Sequence, residues 1–194
     1  MSDDQHTDAL FQLQSRLISL KLLPRTGWLQ RGMRDPESIA EHTFGVATLA
    51  LLLGDLQRGI DRGRLLSTAL LHDIAEALIG DLPATARRLI GPEAKREAER
   101  RAMLEMFGDL PACASYLELW DDYNRGATPE ARLVKALDRL EMLTQALAYE
   151  RAGHQALEDF WADETEWSDE FPQVRALAQR LFREHRVLKR IRED

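Results

Sequence analysis

The sequence predicts an all-α protein, a helical bundle forming one domain over residues 1 to 194. Three observations carry that prediction. Apolar residues recur at spacings of three and four through most of the chain, helix start and stop residues flank these runs, and no alternating stretch is long enough for a half-buried strand. No internal repeat, low-complexity tract or long linker divides the chain.

The first helix is expected over residues 8 to 23, where Leu10, Leu13, Leu17, Leu20 and Leu23 share one face. Pro24, Gly27, Gly32 and Pro36 then interrupt the period, so residues 24 to 37 read as an irregular connection. The segment from Lys21 to Asp35 gathers Lys21, Arg25, Arg31 and Arg34 against only Asp35. Ser38 followed by Glu41 is a capping-box pattern, and Asp35 with Pro36 forms a second start signal. The helix beginning there carries Ile39, Val46, Leu49, Ala50 and Leu53 on one face, includes His42 on that face, and stops near Gly54.

From Arg64 to Ile79 apolar residues cover most of the helical circumference, which predicts a central, largely buried helix. It nevertheless carries His72, Asp73 and Glu76, and Gly80 then Asp81 follow its end. Residues 84 to 107 are highly charged and predict an exposed helix stopping at Gly108, with another over 110 to 123. Thr128, Pro129 and Glu130 give cap, first-turn proline and first-turn acid for a long helix to about Ala152, with Asp138 in its middle. Two last helices are expected over 154 to 166 and 171 to 192, separated by Ser168, Asp169, Glu170 and Pro172 and packed on the rest.

Charge and composition narrow the function. A formal charge of -7 opposes broad nucleic-acid binding, which needs a basic surface to displace counterions from phosphates. A small anion would need a local basic pocket, for which the segment from Lys21 to Arg34 is the candidate. The single cysteine, Cys113, has no partner for an intramolecular disulfide, and the acidic start MSDDQHTDAL lacks the basic and apolar regions of a signal peptide. The expectation is a cytoplasmic protein with no membrane span and no nucleic-acid partner.

The chemistry rests on polar residues placed where apolar ones would be cheaper. An ionised carboxylate on a buried helix loses several kcal/mol of hydration unless it is paired or coordinates a cation. In one regular helix His72 and Glu76 point together, with Asp73 beside them. Adding His42 on an inward face and Asp138 far downstream supplies two imidazoles and two carboxylates. Such a mixed set suits a divalent ion such as Mn²⁺, Co²⁺, Fe²⁺, Zn²⁺ or Mg²⁺ and disfavours one selected by thiolates. Four protein ligands on an ion that accepts up to six leave room for water and a substrate oxygen.

The order H…HD…D, from His42 through His72-Asp73 to Asp138, resembles the HD-domain metal-dependent phosphohydrolases. PRTGW (24 to 28), PESIAEH (36 to 42), LLHDIAEALIGDLP (70 to 83) and ALDRLEML (136 to 143) are similar to one branch, as is ELWDDYNRGATPEARLVKALDRLEM (118 to 142). That branch holds the bacterial 5′-deoxynucleotidases and their eukaryotic relatives, often called HD domain-containing protein 2. The resemblance covers about residues 10 to 160. It implies an HD-type helical bundle, usually a homodimer, that hydrolyses (deoxy)ribonucleoside 5′-monophosphates to nucleoside and phosphate. It implies His42, His72, Asp73 and Asp138 as metal ligands, with Glu76 and Asp81 near the phosphate and attacking water.

In the bacterial members an adjacent Arg-Trp pair binds phosphate and screens the sugar. Here Trp28 matches the tryptophan, Gly27 replaces the arginine, and Arg25 is the candidate to supply the cation. Glu76 is then expected to orient the water or protonate the leaving 5′-oxygen. Asp81 either joins Glu76 in holding a second cation or serves the helix end. Two alternatives remain at this level: the same chemistry on a triphosphate, cyclic dinucleotide or alarmone, and a non-catalytic metal- or nucleotide-binding module.

Overall fold

A capping box at Ser38 starts the helix that carries the first histidine, and both halves of it form. The Glu41 amide donates to Ser38 Oγ at 3.2 Å, and the Ser38 amide donates to Glu41 Oε2 at 2.6 Å. This is α4, Ile39–Gly54, in a computed structural model that describes residues 3–162 and 164–193. Met1 and Ser2 of the acidic start, and Asp163 of the 154 to 166 segment, lie outside the described residues.

The elements are all helical: α1 Asp3–Leu17, α2 Ser19–Leu22, α3 Thr26–Leu29, α4, α5 Arg62–Leu71, α6 Glu76–Ile79, α7 Ala84–Ile90, α8 Pro92–Phe107, α9 Cys113–Arg125, α10 Pro129–Arg151, a 3₁₀ turn Glu158–Trp161, and α11 Pro172–Glu193. Among the described residues the one β-type pairing is an isolated bridge between Pro24 and Ser38. Thr128 caps α10 by accepting from the Ala131 amide at 3.2 Å, as its sequence position predicts.

Several predicted helices are interrupted, each for a physical reason. The first breaks after Leu17, where Ser19 Oγ donates to Arg16 O and also lies 2.8 Å from Ala77 O on α6. A hydroxyl bonding backbone in this way competes with the helix ladder. The predicted 84 to 107 helix splits at Gly91, whose φ of 82° lies in the left-handed half of the map. The expected helix over 154 to 166 reduces to the 3₁₀ turn, because Gly153 and Ala156 both take positive φ just before it. The irregular connection contains the four-residue α3.

The break that matters for function is in the expected Arg64 to Ile79 helix. α5 ends at Leu71, and residues 72 to 75 follow in a tightened turn with i→i+3 bonds, Ile74 N to Leu71 O and Glu76 N to Asp73 O. His72 Nδ1 takes the Ala69 carbonyl at 2.7 Å, the acceptor Asp73 N would have used in a regular α-helix. His72 and Glu76 therefore do not stack as i, i+4 neighbours. The helix is also less enclosed than expected, with Leu70 56% exposed.

α4, α5 and α10 pack on one another, with α11 along α10 and α9 across α5 and α10. One core, including Val46, Leu65, Leu137 and Phe182, fills this group. A second, including Leu13, Leu71, Met103, Phe107 and Trp120, lies under α1, α8 and α9. Ala69 belongs to the first core while Leu71 and Ala75 belong to the second, so the His72-Asp73 turn sits where they meet.

Candidate metal centre

Two helices and the turn after a third deliver the polar groups to one place. α4 supplies His42, the turn after α5 supplies His72 and Asp73, and α10 supplies Asp138. One ligand atom from each of His42, His72 and Asp73 lies within 4.8 Å of the others. Asp138 closes on His42, with Oδ1 3.1 Å from Nε2. Asp73 Oδ2 is 3.3 Å from His72 Nε2 and 3.8 Å from His42 Nε2.

The hydrogen bonds decide which imidazole nitrogens are free. His72 Nδ1 faces the Ala69 carbonyl, which can only accept, so in the neutral ring Nδ1 carries the proton and Nε2 is the nitrogen left with a lone pair. His42 Nδ1 faces Glu141 Oε2 at 2.6 Å, with the same consequence. Both Nε2 atoms are buried without an aligned hydrogen bond. Two orphaned imidazole nitrogens turned toward two carboxylates form a donor set that fits a divalent cation. The tyrosine Tyr123 of α9 donates to Asp138 Oδ2 at 3.1 Å and fixes that side chain.

Electrostatics follow from burial and this crowding. Burial alone would push Asp73 and Asp138 up. His72, Arg25 and His42 instead hold Asp73 well below the usual carboxylate range, and the His42 contact takes Asp138 down to about 2. Burial opposes charge on His42, yet Asp138 and Glu141 raise it to about 10. Glu76 is 5% exposed, with Oε2 unpartnered. Its burial, reinforced by the charges of Asp73 and Asp81, raises it to about 10, so it is held as a neutral acid beside a cluster of anions.

Arg25 is anchored by its backbone amide to Glu37 O at 2.9 Å, next to the Pro24–Ser38 bridge. Its guanidinium donates to Asp73 Oδ2 at 2.8 Å and lies 3.9 Å from Asp81 Oδ2. Asp81 Oδ2 also accepts from the Thr26 amide at 2.7 Å and from Thr26 Oγ1 at 3.1 Å. From this corner opens a cavity of about 410 Å³, lined in part by Arg25, Trp28, Arg31, Asp81, Arg87, Arg139 and Phe160. A groove of about 450 Å³ between α1 and α8 is larger, but neither Arg25 nor Asp81, which touch the polar cluster, lines it.

Trp28 lines the cavity from beneath. It is 2% exposed, stacks on Phe160 with centroids 4.3 Å apart, meets Tyr149 edge-on at 5.2 Å, and donates its indole N–H to Glu37 Oε1 at 2.8 Å. Of the basic cluster, Arg25 and Arg31 reach the cavity, and Arg31 lies over the Phe160 ring at 4.5 Å. Arg34 lines a different depression beside Tyr149 and His154. Sequence reasoning did not single out Glu141, Tyr123 or Phe160. Glu141 had a legible signal, since it follows Asp138 by three residues and so shares its helix face; Tyr123 and Phe160 reach the site only through tertiary packing.

Comparison with known proteins adds independent findings. An HD domain family model matches residues 17–176. The protein named 5′-deoxynucleotidase HDDC2 from Danio rerio is 34% identical over 181 residues, covering 91% of this chain and 88% of that one. The 5′-deoxynucleotidase hdd1 of Schizosaccharomyces pombe is 37% identical over 155 residues, 75% of this chain and 76% of its own. The crystal structure of PH0347 from Pyrococcus horikoshii superposes with a TM-score of 0.79 at 34% identity, over 90% of this chain and 99% of that one.

Proposed function

The chain belongs to the HD domain family, and from that premise we propose that it is a metal-dependent phosphomonoester hydrolase that converts (deoxy)ribonucleoside 5′-monophosphates to nucleoside and phosphate. The observation that carries this reading is the pair of buried, unpartnered Nε2 atoms on His42 and His72, facing the carboxylates of Asp73 and Asp138. These four residues would hold a divalent cation, Mn²⁺, Co²⁺, Fe²⁺, Zn²⁺ or Mg²⁺. When bound, such an ion acidifies water and offsets charge on phosphoryl oxygens.

The rest is the work of the chain. Arg25 presents a guanidinium at the edge of the cavity, where a fork of N–H donors grips two phosphate oxygens. Arg31 and Arg87, on the same lining, add attraction for an anion within an acidic protein. Glu76, buried and raised to about 10 by that burial and by Asp73 and Asp81, would give its proton to the leaving 5′-oxygen. Asp81, engaged by Thr26 and facing Arg25, orients that arginine in this reading; a second cation shared by Glu76 and Asp81 is the alternative assignment. Trp28 acts through Phe160, backing the ring that lines the sugar side of the cavity.

The same reading places the protein in a reducing cytoplasm, in keeping with the lone thiol Cys113, and takes it as a homodimer. Among the described residues no helix is long and apolar enough to cross a membrane. Phe44 is 74% exposed, and Leu51 and Leu52 are exposed on the same helix, a surface suited to a second copy. The reaction is tested by incubating purified protein with Mn²⁺ and a matched panel of nucleoside monophosphates, triphosphates, cyclic dinucleotides and alarmones, reading products by chromatography. The monophosphates should be turned over with the highest kcat/KM. Faster turnover of any other class would move the assignment to that substrate.

A further inference from the structure

α4 and α10 face each other through two matching spacings. His42 and Gly45 stand three residues apart on α4, and Asp138 and Glu141 three apart on α10, so each pair shares a helix face. The His42 ring is held between the two carboxylates, with Nε2 3.1 Å from Asp138 Oδ1 and Nδ1 2.6 Å from Glu141 Oε2. His42 is 0% exposed and Glu141 is buried, so the second contact is made away from solvent.

Gly45 explains how Glu141 reaches the ring. Glycine within a helix costs roughly 1 kcal/mol relative to alanine, so its presence there calls for a reason. Backbone freedom is not the reason, since Gly45 is absent from the residues of positive φ. Space is the reason. A Cβ at Gly45 would lie 2.7 Å from Glu141 Oε1, 2.8 Å from its Cγ and 3.1 Å from its Cδ. The close atoms include the middle of the side chain, so swinging the carboxylate tip aside would not relieve the clash. Any side chain at position 45 moves Glu141 as a whole.

We propose that Gly45 and Glu141 form a positioning pair for His42: Gly45 leaves the space through which Glu141 accepts the Nδ1 proton, and that bond fixes the ring so that Nε2 faces Asp138 and Asp73. The inference rests on the metal reading of the site. Glu141 does not itself contact the ion; it sets the tautomer, the orientation and the basicity of a residue that does.

The test is the Mn²⁺ affinity of the full chain by titration calorimetry, for wild type, Glu141→Ala, Glu141→Gln, Gly45→Ala and the double variant Gly45→Ala/Glu141→Ala, with helicity and melting followed by circular dichroism. Loss of an outer-shell partner weakens metal binding by about 10- to 100-fold, and that loss is expected for Glu141→Ala. Glu141→Gln keeps an oxygen acceptor for the Nδ1 proton and should recover part of it. Gly45→Ala should weaken binding in the same direction, and the double variant should be no worse than Glu141→Ala alone, because both changes break one contact. A folded Glu141→Ala that binds Mn²⁺ within about twofold of wild type, or losses that multiply in the double variant, would overturn the pairing. A wild type that binds no Mn²⁺ overturns this inference and the metal reading together. A wild type that binds Mn²⁺ but releases no phosphate counts against the proposed reaction alone.

Discussion

Asp73 Oδ2 is the most contested atom of the site. It is 2.8 Å from an Arg25 nitrogen and within 4 Å of Nε2 on both histidines. A cation on that oxygen and the Arg25 guanidinium compete for it, so Arg25→Ala should leave Mn²⁺ affinity unchanged or tighter while kcat/KM for a deoxynucleoside monophosphate falls. Weaker metal binding in that variant would make Arg25 a brace for Asp73 instead of a phosphate ligand. Glu76 should separate the other way. Glu76→Ala should keep its ion yet lose about 10²-fold in kcat, the scale of a lost proton-transfer group. Elemental analysis decides the point, because disappearance of the metal with the side chain would make Glu76 a ligand. Much at this scale was legible from the sequence: charged groups on apolar helix faces identified His42, His72, Asp73 and Asp138 as a set. Trp28 was harder to read, because an aromatic between Gly27 and Leu29 gives no sign that Phe160 will cover it.

At the scale of the element, the ends of α4 and α10 were readable because capping is local chemistry within four residues. The Ser38 cap also serves the site, since the His42 amide bonds to Ser38 O at 3.1 Å in the first turn of α4. Ser38→Ala should therefore cost about 1 kcal/mol of stability, seen as a lower melting temperature, and should weaken Mn²⁺ binding slightly through His42. An unchanged melting temperature would mean that packing alone starts this helix. The breaks were less legible. Gly91 followed by Pro92 was a local stop signal available in the text, whereas the break after Leu17 depends on a serine bonding to α6, an element about 60 residues away. The turn at 72 to 75 is set by an imidazole taking a backbone acceptor, which no periodicity reveals.

For the whole molecule, two cores meeting at the His72-Asp73 turn join the stability of the bundle to the site. Folding brings His42 up to about 10 and raises His72 as well, because Asp138, Glu141 and Asp73 outweigh the burial that opposes their charge. A cation takes only neutral imidazole, so it must displace protons that are favoured below the folded pKa. Mn²⁺ affinity should accordingly strengthen as pH rises through neutrality, with proton release measurable by calorimetry in two buffers of different ionisation enthalpy. Affinity independent of pH would show that the histidines do not bind the ion. The exposed face of α4 makes a separate prediction: Phe44→Glu should convert a dimer to a monomer in light scattering without loss of helicity, and a wild type that is already monomeric would refute the homodimer.

In the proposed reaction, one divalent ion held by His42, His72, Asp73 and Asp138 is required for phosphate release from a nucleoside 5′-monophosphate. The most direct measurement strips the protein with chelator, removes the chelator, and titrates Mn²⁺ back while following both bound metal and phosphate released from a deoxynucleoside monophosphate. Phosphate release should be absent from the stripped protein, rise with occupancy and saturate as the four-residue site fills, and Asp73→Ala should neither bind the ion nor release phosphate. Full activity in excess chelator, or unimpaired activity in Asp73→Ala, would contradict the account.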